Sequence, residues 1–286
     1  MHGDAPEPPD LLVVKVGGSC LDDLEPEWWD GLAELARSAK LVVVHGWSRM
    51  VSAATPDGQP DFIVDKHGFR SRYTTPEVLE RIVGVSGELR GQIGQLLRER
   101  GLTVATVDGA EERLLHAEVK QNMWWVGDEL VALTNLVGPV REVDRSRLDV
   151  LLAENDVVIV TPLAVTADHP RVNTDADRAA AALAGAGGAR RLVLVMDAEA
   201  VQADGEAVRN ATRDELDGLK RHAKGGMAKK LRAVEEAFAG GVRQVAIGRA
   251  SAPDLIAGRA GTTIVDPGAV EGGARPAVAE RRTGDG

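Results

Sequence analysis

The chain has 286 residues, of which 44% are hydrophobic and 27% are charged. This balance is typical of a globular protein, and the length allows two lobes or one large α/β domain. The formal net charge of −10 disfavours general nucleic-acid binding, because it repels phosphate backbones. No apolar run approaches the roughly 20 residues that a membrane-spanning helix needs, so no membrane association is expected.

The start of the chain indicates the compartment. Residues 1–10 are acidic and rich in proline, lack the apolar segment of a secretory signal, and are predicted to be a disordered lead. The single cysteine, Cys20, cannot build a disulfide framework. We therefore predict a cytoplasmic protein.

The first predicted element is a buried strand that begins at Leu11, reads LLVVKV and opens into Gly17 and Gly18. Lys15 is its unusual residue, because an apolar strand has no packing use for an ammonium group. One interpretation places Lys15 at the carboxyl end of the strand, where it meets an anion. The other is a lysine that extends to solvent beside an ordinary turn, and this stretch alone does not decide between them.

Further along the chain, short aliphatic strands alternate with helices, which predicts a parallel sheet covered on both faces. The predicted helices lie at 28–40, 75–101, 147–155, 178–184, 213–222 and 228–239, with a short one near Asp254. The further predicted strands lie at 41–45, 103–107, 157–160, 191–196, 242–247 and 262–265, with short β segments within 113–143. The expected fold class is α/β, with a mostly parallel open sheet flanked by helices on both faces.

The longest predicted helix begins at Thr75, with Thr75 as its N-cap and Pro76 in its first turn. Four glycines fall inside it, although an interior glycine costs a helix up to ~1 kcal/mol. They are Gly84, Gly87, Gly91 and Gly94. We expect them to allow close packing against another backbone, and we predict a homodimer contact there.

Polar or glycine-rich segments follow the predicted strands where their carboxyl ends converge. In an open α/β sheet, ligands bind outside these ends. The segments are 15–18, 45–48, 173–177 and Asp197. A fifth segment, 224–230, joins Gly225 and Gly226 to a helix start with three lysines, and such a start offers free N–H groups to a polyphosphate.

Other site types are disfavoured by spacing. The sequence contains no G-x-x-x-x-G-K-[ST] run, and the glycines at 185–188 end a helix instead of opening one. The histidines lack metal-ligand spacing with one another or with Cys20, so no resident metal is expected. No serine lies in a G-x-S-x-G frame, which disfavours hydrolase chemistry.

Four motifs together resemble the amino acid kinase family from about residue 11 to 265. They are Lys-x-Gly-Gly-Ser at 15–19, Val-Val-His-Gly at 43–46, Asn-x-x-x-Asp at 173–177 and Gly-Met-x-x-Lys at 226–230. Within that family the chain is similar to acetylglutamate kinases. The segment Ser-Arg-Tyr-Thr-Thr at 71–75, followed by Pro-Glu-Val-Leu-Glu, is more similar to [LysW]-aminoadipate/[LysW]-glutamate kinases. Those enzymes phosphorylate a side-chain carboxylate of an amino acid whose amino group is blocked by a small acidic carrier protein.

The resemblance implies catalytic roles for three residues. Lys15 and Lys230 stabilise the transferring phosphoryl group, and Asp177 holds the two lysines in place. Lys230 is preferred over Lys229 on the spacing from Met227. The chemistry is consistent, because a carboxylate ionised at pH 7 needs no general base and requires charge neutralisation and alignment instead.

The resemblance also implies the ligands. ATP is the expected cofactor, with Mg²⁺ carried by the nucleotide, and a small amino-acid substrate, free or on an acidic carrier, is the expected partner. The implied cofactor-binding residues are Gly17, Gly18 and Asp197, and the implied substrate-binding residues are Gly46, Trp47, Arg72 and Asn173. Residues 11–170 would form a substrate-binding lobe that also dimerises, 171–266 a nucleotide-binding lobe, and 267–286 a disordered tail.

Two departures from the family pattern stand out. Trp47 occupies a place where the family has a second glycine, so the indole either lines a reshaped substrate pocket or blocks it. A glycine there permits positive φ, which is costly for Trp. The segment 196–201 lacks the Pro-Gly often found in the nucleotide loop, which puts ATP affinity in question.

Basic residues on the long helix and just before it form a candidate docking surface for an acidic carrier. They are Lys66, His67, Arg70, Arg72, Arg81, Arg90, Arg98 and Arg100. Glutamates interleave with them, so a solvated mixed face is the alternative. Three hypotheses result: a carrier-linked kinase, a free N-acetylglutamate kinase, and a catalytically idle homologue with a binding or regulatory role.

Overall fold

The computed structural model describes residues 10–19, 21–55, 61–66, 70–119, 122–126, 128–223 and 225–269. Predictions for the lead at 1–9, for Cys20, His67 and Lys224, and for the tail from 270 fall outside the described residues. No helix within these ranges is both long enough and apolar enough to cross a bilayer.

The described residues form eight α-helices, and each predicted helix corresponds to one of them. They are α1 (Pro26–Ser38), α2 (Ser48–Ala53), α3 (Pro76–Arg98), α4 (Arg145–Glu154), α5 (Ala176–Gly187), α6 (Leu216–His222), α7 (Gly226–Ala239) and α8 (Ala252–Ile256). Three short 3₁₀ turns lie at Leu21–Asp23, Arg213–Glu215 and Pro267–Ala269.

The strands comprise the predicted aliphatic ones and a set of short ones. They are β1 (Leu11–Val16), β2 (Lys40–His45), β3 (Phe62–Asp65), β4 (Arg70–Arg72), β5 (Val104–Asp108), β6 (Leu115–Ala117), β7 (Asn122–Val126), β8 (Glu129–Leu133), β9 (Val140–Val143), β10 (Val157–Thr161), β11 (Leu163–Ala164), β12 (Val172–Asn173), β13 (Arg191–Val195), β14 (Gln202–Ala203), β15 (Glu206–Ala207), β16 (Asn210–Thr212), β17 (Gln244–Gly248) and β18 (Thr262–Val265).

One eight-stranded sheet organises the fold, in the order β16-β18-β17-β13-β1-β2-β10-β5. Its pairs are parallel except β17 with β18. Strands from 11–170 fill one half of this sheet and strands from 171–266 the other. The division into two functional lobes stays a prediction.

Helices cover both faces of this sheet because its central strands are apolar on both sides. Val13 contributes to a core cluster with α4, α5, α6 and α7, whereas Leu12 and Val14 contribute to a second one with α1, α3 and α8. The predicted fold class, an α/β sandwich with a mostly parallel open sheet, is confirmed.

The start of α3 matches its prediction, because the Thr75 side chain accepts a hydrogen bond from the Val78 N–H. The four glycines inside α3 do not pack against another described backbone segment of this chain, contrary to expectation. Apart from the backbone of α3 itself, a Cβ added at Gly84, Gly87 or Gly91 would meet no described atom within 4 Å, and one at Gly94 would meet the side chain of Thr106. The homodimer contact stays a prediction.

A smaller antiparallel sheet, in the order β4-β3-β7-β8, was only partly anticipated. The β7 and β8 hairpin agrees with the β segments predicted within 113–143, but β3 and β4 were not predicted. These two strands have only four and three residues, too few to show a clear alternation. This sheet places Arg72 against α2, as described below.

Candidate active site

The ends of three adjacent strands meet at the carboxyl edge of the large sheet. The Gly17 N–H donates to the Val195 carbonyl oxygen at 3.1 Å, and the Gly46 N–H donates to the Val16 carbonyl oxygen at 2.9 Å. These bonds join the loop after β1 to the end of β13 and the loop after β2 to the end of β1. The glycine loop is therefore held from both sides.

The two glycine loops touch backbone to backbone. A Cβ on Gly18 would lie 2.6 Å from the Gly46 carbonyl carbon and 2.6 Å from the Trp47 nitrogen, and a Cβ on Gly46 would lie 2.8 Å from the Gly18 nitrogen. Real Cβ atoms do not approach backbone this closely, so both positions require glycine for space.

A carboxylate bridges two lysines beside these loops. Lys15 Nζ lies 2.8 Å from Asp177 Oδ1, and Lys230 Nζ lies 2.8 Å from Asp177 Oδ2. The exposed fractions of Lys15, Asp177 and Lys230 are 8%, 8% and 7%. Three residues widely separated in the chain thus form one buried ion cluster.

Each member of the cluster is positioned by a different element. Side chains alternate along β1, so Lys15 shares the face of Val13, which α5 covers. Asp177 lies in the first turn of α5, whose N-cap Asp175 accepts hydrogen bonds from the Asp177 and Arg178 N–H groups. Lys230 lies in the first turns of α7, and α7 packs on α5 closely enough that a Cβ on Gly240 would lie 3.0 Å from the Gly185 Cα.

The two lysines govern the protonation of Asp177. Burial alone would raise the pKa of the Asp177 carboxyl, but the charges of Lys15 and Lys230 and their hydrogen bonds outweigh it and hold that pKa well below its ordinary value. Burial lowers the pKa of Lys230, and the Asp177 carboxylate opposes that shift. The carboxylate is therefore ionised at neutral pH.

Lys230, rather than its neighbour Lys229, reaches the cluster. Lys230 is buried and donates to Asp177, whereas Lys229 is half-buried. Asp197 follows β13, is exposed, and accepts a hydrogen bond from Ser19 Oγ at 2.9 Å. The structure thus brings Asp197 beside the same glycine loop.

The guanidinium of Arg72 is engaged within the protein. Nη1 pairs with Asp61 Oδ1 at 3.1 Å. Nη2 donates to the Ser48 carbonyl oxygen, to Ser48 Oγ and to Ser52 Oγ at 2.8–3.0 Å. Arg72 is only 8% exposed, and it ties β4 to the start of α2. Its role as a ligand for a substrate carboxylate stays a prediction.

Asn173 lies at the end of β12 and is 6% exposed. Its Nδ2 donates to Thr74 Oγ1 at 3.2 Å, and the Thr74 N–H donates to Asn135 Oδ1 at 2.7 Å. Sequence reasoning missed Thr74 and Asn135 as partners of this residue. Nothing in the local pattern marks Asn135, because its importance comes from a contact across 61 residues of chain.

The indole of Trp47 is buried, with 5% exposure, in an apolar cluster with residues of α2 and α3. Trp47 has φ −139°, so this turn does not use the positive φ that a glycine would permit. Its ring centroid lies 6.1 Å from that of His45 in an edge arrangement. The bulky side chain is thus accommodated in the core without backbone strain.

The predicted docking surface is largely used within the chain. Arg90 donates to Thr161 Oγ1, Arg98 donates to the Val104 carbonyl oxygen, and Arg100 pairs with Asp30. Arg70 is exposed and stacks on the Phe62 ring at 3.7 Å. Arg90 and Arg98 of α3, and Arg100 just after it, therefore anchor the helix to its neighbours.

Groups of His, Cys, Asp and Glu suited to a metal ion were sought among the described residues. No cluster of three or more such side chains occurs in these parts of the chain. The cluster of Lys15, Asp177 and Lys230 is cationic overall and matches an anion rather than a cation.

The profile of the amino acid kinase family matches residues 10–249. A protein from Saccharolobus islandicus named [LysW]-aminoadipate/[LysW]-glutamate kinase is 30% identical over 244 residues, which cover 83% of this chain and 92% of that protein. The family match includes Lys15, Asp177 and Lys230 and both glycine loops.

Solved structures share the fold at lower identity. N-acetylglutamate synthase from Neisseria gonorrhoeae superposes with a TM-score of 0.72 at 21% identity over 90% of this chain, and this chain spans 59% of the synthase chain. Carbamate kinase from Giardia lamblia superposes with a TM-score of 0.61 at 15% identity, over 90% of this chain and 99% of the other. At these identities the likeness establishes the architecture alone.

Proposed function

Because the chain belongs to the amino acid kinase family, we propose that it transfers the γ-phosphoryl group of ATP to the side-chain carboxylate of an N-blocked glutamate or aminoadipate. The observation that carries the proposal is the buried bridge of Lys15, Asp177 and Lys230 beside the two glycine loops. An enzyme that transfers phosphoryl groups needs fixed positive charge at this kind of position.

The reaction forms a bond between an acceptor carboxylate oxygen and the γ-phosphorus, and breaks the bond from that phosphorus to its bridging oxygen, releasing ADP. The acceptor is already ionised at neutral pH, so no side chain has to remove a proton. Lys15 and Lys230 offset the negative charge that both reactants bring together, and Asp177 holds the two ammonium groups in place against their mutual repulsion. Such preorganised contacts typically contribute about 10²–10³ each in rate.

The residues around the glycine loop suit a nucleotide. We assign the phosphates to the backbone of Gly17 and Gly18, where a side chain would not fit at Gly18. Gly225, with φ +55°, leads into the 14-residue helix α7, whose free N–H groups attract anions. Asp197 is assigned to the nucleotide on its position after β13. Mg²⁺ would arrive with the nucleotide and neutralise phosphate charge there.

The acceptor is assigned to the side formed by Gly46, Trp47, Arg72 and Asn173. In this proposal the α-carboxylate of the substrate replaces Asp61 on the Arg72 guanidinium, which can fork a carboxylate with two N–H bonds. Asn173, held by Thr74, presents its remaining amide atoms to the blocked amino group. Most of the substrate side then lies within 11–170, with Asn173 just beyond it. Asp197 and the start of α7 place the nucleotide side mainly within 171–266, and Gly17 and Gly18 reach it from the other lobe.

Whether the acceptor is free or bound to a carrier is proposed from the name of the Saccharolobus islandicus relative. The Saccharolobus islandicus protein carries LysW in its name and is covered over 92% of its length, which supports an acceptor on a LysW-type carrier protein. A free N-acetylated glutamate is the second candidate. The burial of Trp47 in the core supports turnover over an idle homologue, because the indole packs with α2 and α3.

Trapping of the acyl phosphate with hydroxylamine tests the proposal. ATP is supplied with N-acetylglutamate, with N-acetylaminoadipate or with a carrier-linked glutamate, and the hydroxamate is quantified. We expect the most product with the carrier-linked acceptor. Product with none of the three acceptors would refute the proposal.

A matched pair of variants ties the activity to the cluster. Lys15→Ala removes a charge that contacts Asp177 and is expected to abolish turnover while the chain still folds, as judged by circular dichroism. Lys229→Ala removes a charge of the same kind beside Lys230 and should retain most activity. Equal activity of the Lys15 variant and the unmodified chain would remove Lys15 from the mechanism.

A further inference from the structure

His45 and Thr161 form a buried polar pair at the ends of neighbouring parallel strands. His45 ends β2 and Thr161 ends β10, and both side chains are 0% exposed. His45 Nε2 lies 3.2 Å from Thr161 Oγ1. A buried imidazole at this position lies directly before Gly46, which contacts the glycine loop.

Arg90 reaches the same hydroxyl from α3. Its Nη1 donates to Thr161 Oγ1 at 3.1 Å. A guanidinium has only donors, so Thr161 Oγ1 accepts this bond and keeps its own proton available. The bond from a cation also polarises the hydroxyl and makes it a better donor. The arrangement thus favours a hydrogen bond from Thr161 to His45 Nε2.

The proton of the neutral ring then resides on Nδ1. Burial and the charge of Arg90 lower the pKa of His45 to about 4 although the Gly46 carbonyl favours the protonated ring, so the ring is neutral at pH 7. Nδ1 makes no hydrogen bond of standard geometry with a described residue. The Gly46 carbonyl is the neighbouring group that favours a proton on the ring.

The Gly46–Trp47 peptide in turn lies against the loop that follows Lys15. Its carbonyl carbon, its oxygen and the Trp47 nitrogen lie 2.6, 2.7 and 2.6 Å from the position that a Gly18 Cβ would occupy. Because an atom at the Cβ position of residue 18 would clash with this peptide, the peptide and the Gly18 backbone are in direct contact. The orientation of the peptide and the path of the glycine loop are therefore linked.

We propose that Arg90 and Thr161 are positioning residues that orient His45 and, through it, the Gly46–Trp47 peptide against Gly18. The contact chain crosses from α3 through the ends of β10 and β2 to the glycine loop. Its effect on phosphoryl transfer rests on the proposed function, because Gly18 and Gly46 are the residues assigned to phosphate and acceptor.

The first test requires no turnover. Thr161→Val removes the hydroxyl while nearly preserving shape, and Thr161→Ser retains it. Arg90→Met removes the guanidinium, and Arg98→Met is the matched control, since Arg98 donates to a carbonyl oxygen elsewhere on the same helix. Backbone amide resonances of Gly18 and Gly46 and the side-chain ¹⁵N resonances of His45, assigned with a His45→Gln variant, are compared by NMR spectroscopy.

The expected result is specific. The unmodified chain shows His45 protonated on Nδ1. Thr161→Val and Arg90→Met shift the His45 ring and the Gly18 and Gly46 amides, while Thr161→Ser and Arg98→Met leave them near their original positions. A ring protonated on Nε2, or glycine amides that do not respond to Thr161→Val, would overturn the proposal.

The second test measures the effect of these contacts on catalysis. With the acceptor that yields hydroxamate, Thr161→Val should lower kcat by about 10- to 100-fold, because a small misplacement of reacting groups is costly. KM for ATP should change little, and Thr161→Ser should restore kcat. An unchanged kcat in the folded Thr161→Val protein would refute positioning. If the unmodified chain yields no product with any acceptor, the proposed function fails, and the NMR comparison still decides whether the contact chain orients the loop.

Discussion

Asp177→Asn is the sharpest perturbation of the proposed active site. It removes the charge that bridges Lys15 and Lys230 while preserving the size of the side chain. Two ammonium groups that share one carboxylate lie about 6–8 Å apart, and at an effective dielectric constant of about 20 they repel each other by about 2 kcal/mol. Removing one partner of a buried ion pair typically costs about 3–5 kcal/mol. We expect the free energy of unfolding to fall by about 3 kcal/mol.

Urea unfolding at pH 7, followed by circular dichroism, measures this change, and hydroxamate formation should fall by about 10²–10³-fold. The pKa of Asp177 in the folded chain lies below its ordinary value of 3.8, so the stabilisation is complete above that pH and lost as the pH falls further. The Asn variant should lose this part of the acid dependence.

Asp175→Asn is the matched control. It removes the same charge two residues away, and asparagine caps a helix about as well as aspartate, so stability should change by less than about 1 kcal/mol. Adding Lys230→Met to Asp177→Asn should recover part of the lost stability, because one uncompensated cation is removed. An Asp177→Asn protein as stable and as active as the unmodified chain would refute the assignment.

Four other substitutions, one of them a control, test separate parts of the structure. His45→Gln should flatten the rise of stability between pH 4 and 6.5, because only the unfolded chain binds a proton at His45 in that range. The proton contributes up to about 3 kcal/mol to the free energy of unfolding across this range. Urea midpoints are measured from pH 4 to 6.5, and a variant with the same pH dependence as the unmodified chain would contradict the prediction. Gly18→Ala should lower both the urea midpoint and activity, because its Cβ would lie 2.6 Å from backbone. Gly218→Ala in α6 is its control: its Cβ would meet only the Arg221 guanidinium, at 3.7 Å, so stability should rise by up to about 1 kcal/mol, and equal behaviour of the two variants would refute the close contact at Gly18. Trp47→Gly should cost about 3–5 kcal/mol in unfolding free energy as a buried indole is removed, and an unchanged melting temperature would show that the indole lies outside the core.

Much of the fold was predictable because its signals are local. The strands β1, β2, β10 and β13 are continuous aliphatic runs, and such runs between helices imply a parallel sheet. The helix N-cap at Thr75 and the turn at Gly17 and Gly18 were predictable for the same reason, because each signal lies within a few neighbouring residues. The amino acid kinase family, expected from four motifs, is confirmed by the match over residues 10–249.

The strands β3 and β4 escaped prediction because they are too short to show a clear alternation and because β3 pairs with distant β7. For the same reason the sequence did not reveal that Arg72 is engaged by Asp61, Ser48 and Ser52. Hydrophobicity and spacing describe which face of an element is buried, but they do not describe which distant polar group lies opposite.

By itself, the sequence determined the architecture, the glycine loops and the identity of the residues that carry charge near them. The tertiary structure decided how those residues are combined: that Lys230 joins Lys15 on Asp177, that Trp47 packs in the core, and that Arg90 reaches His45 through Thr161. The physical reason is the distance along the chain over which each interaction acts. Helix and strand formation respond to neighbours along the chain, whereas a buried ion cluster exists only where the fold brings distant elements within hydrogen-bond distance and excludes water from them.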